Sequence, residues 1–361
     1  MGNDNDQRSG NQKSHDESSS SEAATPRAAE VAGHLKPLSN DEPNIGRRRR
    51  KIKKDDLPAD YSDILGQLTT LRNFAANPDT TKTGYRRHRE AGKLWVRERI
   101  EQLLDKGSFR EIGSVTVEFL PSNNINGFGT LNGRRICFSA DDFTIRAGHA
   151  DGALFAKTVY MEQLALKMKI PIVKLVDGSS GGGSVTTIVT NGYAYIPPLQ
   201  GAHEIIAQLN AGIPNLGAAL GTAIGLGAAR LVACHFSVMA GDVGSLFNAG
   251  PSVVANATFE EGLSFIELGG PAVHCTNGTI DNLAPDEAGC FEQIRTVLSY
   301  LPNSGTQIPP RIAPEDPVDR TSPELRSLIP RKRERMYDGR KLINTVVDKG
   351  LVLRDRRALG T

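Results

Sequence analysis

Residues 213–230, IPNLGAALGTAIGLGAAR, carry no charge until Arg230. An uninterrupted apolar run of this length predicts a strand buried on both faces rather than one with a solvated side. The run over 214–220 predicts that strand, with a turn at Gly221 into a helix built largely from glycine and alanine. Gly225, Gly227, Ala228 and Ala229 let such a helix pack closely against neighbouring backbone. Its first N–H groups have no intrahelical partner, so they form a site for developing negative charge without a charged side chain. The rest of the chain reads as scaffolding around that turn.

The chain has 361 residues and a net charge of +2, which by itself points to neither a nucleic-acid nor a membrane partner. Cys137, Cys234, Cys275 and Cys290 are widely spaced and form no CxxC pair. That argues against a zinc site and a disulfide framework, and no metal is expected. No apolar run reaches the roughly 18 residues of a spanning helix. Residues 1–10, MGNDNDQRSG, have no apolar signal core and include acidic residues. The expectation is an intracellular protein, cytoplasmic or mitochondrial, without a clear transit peptide.

The first 45 residues are polar, Ser-rich and poor in aromatics, which predicts disorder, and a basic run follows over 47–54. Residues 1–55 are therefore read as a tail. A single helix is expected from Tyr85, with Leu94, Ile100, Leu103 and Leu104 on one stripe and a stop at Lys106–Gly107. Residues 114–119 predict a strand. Residues 127–140 predict a hairpin turning on Asn132–Gly133. A helix is expected over 153–169, a buried strand over 170–176, helices from Val185 and over 200–210, and strands over 236–240 and 271–277. A helix over 285–301 precedes a Pro-rich linker to Pro317, and helical pattern resumes over 337–349. Strand–helix–strand alternation at this spacing implies parallel pairing with right-handed crossovers.

Two Gly-rich turns each follow an apolar strand: 177–184, DGSSGGGS, and the turn near Gly221. Neither has the GK[ST] ending of a phosphate loop, a clean GxGxxG or a GxSxG elbow. No Ser–His–Asp set stands nearby. His88, Lys93, His149, His235 and His274 read as packing or surface groups, and Lys157, Lys167 and Lys169 as a solvated helix face. Backbone oxyanion sites with little acid–base machinery suit enolate chemistry on a thioester.

Eight segments stand in order: 92–109 (GKLWVRERIEQLLDKGSF), the G-x-G-T-x-x-G-R pair at 127–134, SADDFT (139–144), DGSSGGGS (177–184), GTAIGLGAA (221–229), AGPSVV (249–254), FIELGGPAVH (265–274) and LSYLPNSG (298–305). Together they resemble the carboxyltransferase (beta) subunits of biotin-dependent acyl-CoA carboxylases, as in propionyl-CoA carboxylase. The resemblance runs from about Arg86 to Val352.

It implies a ClpP/crotonase-like α/β fold of stacked ββα superhelical turns. It also implies transfer of a carboxyl group from carboxybiotin to the α carbon of a short acyl-CoA, through an enolate held by backbone amides. Biotin would arrive on a partner, the biotin carboxylase/biotin carrier alpha subunit, and the assembly would be a trimer of dimers. Carried over by position, the oxyanion donors fall on Gly225 and Leu226, where the family usually has Gly-Gly. Gly181, Gly182 and Gly183 line the acyl-CoA channel in place of the family's SGGAR turn, and Ala223, Gly250 and Pro251 join the substrate contacts. On this reading 85–305 is the N-terminal carboxyltransferase domain, and 306–361 is a linker with the start of a second domain. Two other readings go with it: a catalytically inactive paralogue assembling with full-length subunits, and a biotin-independent decarboxylase or hydrolase.

Overall fold

The computed structural model describes residues 60–115, 121–149, 154–178, 192, 201–311, 313 and 316–348. The expected tail, the basic run at 47–54, Gly181 to Gly183 and the helix from Val185 lie outside the described residues. The chain divides into two compact units, Met1–Thr70 and Leu71–Thr361. Helix α1 (Ser62–Ala76) has residues in both, and the sheet and the site described below belong to the second unit.

The expected entry helix is two helices, α2 (Thr83–Glu90) and α3 (Val96–Leu103). Gly92 breaks them at φ +77°, a conformation that costs other residues strain. Strand β1 (Arg110–Glu111) pairs antiparallel with β2 (Asn124–Leu131), which pairs antiparallel with β3 (Arg134–Asp141). The hairpin turns on Asn132 and Gly133, at φ +53° and +76°, as the Asn–Gly pair predicts. Of the strand expected over 114–119, the described residues show only a bridge from Val115 to Pro121.

From β3 onward the sheet is parallel. Helix α4 (Leu154–Met168) leads to β4 (Ile172–Gly178), and α5 (Ala202–Asn210) leads to β5 (Asn215–Ile224). Helix α6 (Leu226–Val232) follows β5 directly, then β6 (Phe236–Ala240) and β7 (Ser245–Phe247). Helices α7 (Pro251–Thr258), α8 (Phe265–Gly269) and α9 (Pro271–His274) precede β8 (Asn282–Ala284) and α10 (Glu287–Tyr300). Short helices α11 (Leu325–Leu328) and α12 (Gly339–Val346) complete the described chain. The sheet runs β1-β2-β3-β4-β5-β6-β8, and β7 joins the far end of β5.

Two expectations are corrected here. The strand at 271–277 is helical, because Pro271 takes the first helical position, where its fixed φ and missing N–H cost nothing. The strand at 214–220 also runs past Gly221 to Ile224, so the turn falls at Gly225.

β4, β5 and β6 are buried along nearly their whole length, with core on both faces. One face packs Val173, Leu175, Leu216 and Leu220 against Ile100 and Leu103 of α3 and Phe291 and Ile294 of α10. The other packs Val176, Ala219 and Ala223 against Ala228 and Leu231 of α6.

Candidate functional site

The end of β5 is clamped from both sides. Gly178 of β4 pairs with Ala223, and Ser245, Leu246 and Phe247 of β7 pair with Thr222, Ala223 and Ile224. The Leu246 carbonyl also accepts a hydrogen bond from His274 Nε2 at 2.6 Å. Beyond the clamp Gly225 turns the chain at φ +54°, ψ −113° and caps α6, its carbonyl accepting the Ala229 N–H at 2.9 Å.

The Gly225 N–H itself donates to the Phe247 carbonyl at 3.0 Å. Of the two amides assigned as oxyanion donors, Gly225 is therefore committed to the sheet, and Leu226 stands first on the helix. Among the described residues, the Leu226, Gly227 and Ala228 amides have no backbone partner.

Ala223, expected to touch substrate, is fully buried in the apolar cluster with Ala219, Leu231 and Met239. It is a strand residue held by neighbours on both sides. Gly250 caps α7 and Pro251 opens it, three and four residues past the Phe247 carbonyl that fixes the turn. Both are partly buried.

Beside Leu226 lies a cavity of about 210 Å³ between α4, α5 and α6. Its walls are Val159, Ala202, Ile205, Ile206, Ala229 and Ala233, with Gly201, Leu226, Glu162 and Arg230 completing them. Glu162 and Arg230 are buried, and a charged network ties them down. Glu162 Oε1 stands 3.5 Å from Arg230 and 3.6 Å from Lys174 Nζ. Lys174 donates to the Arg230 carbonyl at 2.8 Å, and Gln208 donates to Glu162 Oε2 at 3.1 Å. Two cations against one carboxylate repay part of the desolvation that burial imposes on each.

A second buried network sits at the C-terminal end of β4. Arg99 donates to Asp177 Oδ2 at 2.9 Å, to Glu287 Oε2 at 2.6 Å and to the Leu220 carbonyl at 2.8 Å. Lys93 reaches Asp177 Oδ1 at 3.2 Å, and the Leu94 N–H donates to Glu287 Oε1 at 3.0 Å. The carboxylates of Asp177 and Glu287 raise the Arg99 pKa against the opposing effect of its burial. Gly221 is glycine because a Cβ there would overlap the Asp177 carboxylate and the Lys93 ammonium. Trp95 Nε1 donates to Asp142 Oδ2 at 3.1 Å, and burial raises the Asp142 pKa.

Neither network has a local sequence signal, because its partners lie far apart in the chain. His88 takes the packing role expected of it, buried with Nε2 donating to the Leu94 carbonyl at 2.9 Å. Lys157 is half-buried: its ammonium reaches Ser122 Oγ at 3.0 Å, and burial lowers its pKa to about 8. His235 bonds the Asn215 N–H through Nδ1 at 3.2 Å, a packing role as expected. Burial pushes the Cys137 thiol up to about 12 and that of Cys275 to about 11, which suppresses the reactive thiolate. Among the described residues no group of histidine, cysteine and acidic side chains could hold a metal. No described helix is long and apolar enough to cross a membrane.

Comparison with known proteins decides the family, since residues 87–353 match the carboxyl transferase domain. This chain belongs to the carboxyl transferase family. It is 29% identical over 276 residues to the carboxyltransferase subunit of propionyl-CoA carboxylase from Haloferax mediterranei, covering 72% of this chain and 52% of that protein. Methylmalonyl-CoA decarboxylase subunit alpha from Veillonella parvula is 30% identical over 274 residues, with 72% and 52% covered. The carboxyl transferase chain thus spans about half the length of the curated relatives it matches. Its fold is that of the transcarboxylase 12S hexamer subunit, with a TM-score of 0.71 at 24% identity, covering 84% of this chain and 61% of that one. The beta subunit of Pseudomonas aeruginosa geranyl-CoA carboxylase shares it at a TM-score of 0.53. The crotonase-like α/β architecture expected from the sequence is the one observed.

Proposed function

We propose that this chain binds an acyl-CoA and stabilises its enolate in a biotin-dependent carboxyl transfer. The observation that carries the reading is the row of amides opening at Leu226, unpartnered among the described residues, beside a largely apolar cavity, in a chain of this family. The thioester oxygen gains negative charge as the α proton leaves. The N–H groups of Leu226 and Gly227 are the donors that remain once Gly225 is tied to Phe247. Each such donor contributes about 3 kcal/mol in a site closed to water. The rigidity of the site comes from β7, which fixes the turn before substrate arrives. Gly181 to Gly183, Gly250 and Pro251 remain assigned to the substrate channel.

Carboxybiotin, brought by a carrier partner, would supply the carboxyl group. The first amides of α6, without a backbone partner among the described residues, suit one oxyanion, that of the thioester, and no described residue of this chain is assigned to biotin. Homo-oligomeric assembly as a trimer of dimers, pairing with a biotin carboxylase/biotin carrier subunit, and an intracellular location complete the proposal. Isothermal titration with propionyl-CoA and acetyl-CoA tests it. Binding at or below millimolar concentration is expected, and no heat at millimolar ligand would overturn it.

A further inference from the structure

We infer that the cavity between α4, α5 and α6 takes the apolar acyl tail of the thioester, so that this protein prefers acyl chains well beyond acetyl. The inference rests on the acyl-CoA reading above. The wall is hydrocarbon from three helices: Val159, Ala202, Ile205, Ile206, Ala229 and Ala233. Its two charged members, Arg230 and Glu162, are buried and pair at 3.5 Å, Nη2 to Oε1, although neither of those atoms makes a hydrogen bond among the described residues; the rest of the wall is hydrocarbon. The mouth is apolar too, since Ile206 is 57% exposed and Ala229 is also exposed.

A pocket walled mostly by hydrocarbon disfavours the pantetheine arm of coenzyme A, whose several amides would lose water and meet chiefly apolar side chains. An alkyl chain has nothing to lose there. The volume, about 210 Å³, exceeds the roughly 150 Å³ apolar cavity that accepts one benzene ring, so a tail of about six carbons fits. Leu226 links this pocket to the chemistry. It opens α6, where its N–H is unpartnered among the described residues, and it lines the cavity. A thioester oxygen on that amide places the acyl carbons within reach of the pocket.

The test measures affinity for acetyl-CoA, butanoyl-CoA and hexanoyl-CoA, and separately for 1-hexanol against ethanol, on the full chain and on Ala229→Phe. Position 229 is exposed and helical, so the variant should fold, which circular dichroism checks. Hexanoyl-CoA is expected to bind at least about tenfold more tightly than acetyl-CoA, because each buried methylene adds a several-fold gain. Ala229→Phe should abolish that gain and the binding of 1-hexanol. Affinity independent of chain length, or a gain that survives Ala229→Phe, overturns the inference. If 1-hexanol binds in an Ala229-dependent way while no CoA ester binds, the pocket stands and the acyl-CoA reading falls.

Discussion

The Gly225 amide donates to the Phe247 carbonyl at 3.0 Å, and this bond joins the end of β5 to the end of β7 where α6 begins. The turn that presents the helix amides is thus built into the sheet rather than left as a free loop. Its backbone, φ +54° and ψ −113°, suits glycine alone, although the space around it is open, with the Asn248 carbonyl 3.7 Å from where a Cβ would stand. Gly225→Ala should therefore cost about 1–3 kcal/mol through backbone strain rather than a clash. Urea denaturation measures it, and an unchanged midpoint would contradict the assigned geometry.

Leu226→Pro separates the amide from the side chain. Proline suits the first helical position, and Gly225 is outside the helical region that a following proline disfavours. The variant should fold yet lose about 100- to 1,000-fold in biotin-dependent decarboxylation of methylmalonyl-CoA, the effect of losing one oxyanion donor. Leu226→Ala keeps the N–H and should retain most of that rate. Equal losses in the two variants would remove the amide from the mechanism.

Gly221→Ala tests a glycine inside β5, four residues before the cap, and the reason differs. Here the methyl group would fall on Asp177 and Lys93, so overpacking should cost about 1–3 kcal/mol. Gly66→Ala is the control, because nothing lies within 4 Å of its Cβ position. It sits inside a helix, so alanine should stabilise it by up to about 1 kcal/mol. A thermal melt of the two proteins should show shifts of opposite sign.

These two glycines show how far the sequence was legible. An apolar run ending among glycines gave the strand and the helix, but Gly221 and Gly225 look alike locally. One leaves room for a carboxylate on β4, the other adopts a left-handed turn, and only the packed structure tells them apart. The Asn132–Gly133 hairpin was readable because its signal is contained in two residues. Arg99 was not: the apolar stripe of α3 marked Ile100 and Leu103 as inward, and the partners that bury Arg99 lie 78 and 188 residues away.

Arg99→Met should cost about 3–5 kcal/mol, because it leaves Asp177 and Glu287 buried without their shared guanidinium. Chemical denaturation reads the loss directly. A near-neutral effect would mean that Lys93 alone satisfies both carboxylates.

Stability should also fall on acidification. Burial holds the His88 pKa below the usual histidine value, with Asp177 opposing and Arg99 and Lys93 reinforcing the shift. His235 is lowered as well, again chiefly by burial. The unfolded chain then binds these protons more readily than the folded one. The stability is full above about pH 6.5 and is lost as the pH falls through that value toward the lower folded pKa. The buried Nδ1 of His88 has no hydrogen-bond partner among the described residues to accept an added proton. His88→Gln, which can still donate to the Leu94 carbonyl, should flatten the slope of unfolding free energy between pH 7 and 5. An unchanged slope would shift the dependence to His235.

The guanidinium of Arg99 joins a helix near the beginning of the described chain to Asp177 in its middle and Glu287 near its end. During synthesis, the arginine and the aspartate emerge more than a hundred residues before the glutamate does. Until α10 leaves the ribosome, one anion of the set is missing and the face of the sheet that α10 covers stays open to water. Loop-closure entropy of that span makes the final docking slow relative to local helix formation. A nascent chain stalled short of Glu287 should thus be held by chaperones and cut readily by proteases, and release should coincide with delivery of α10.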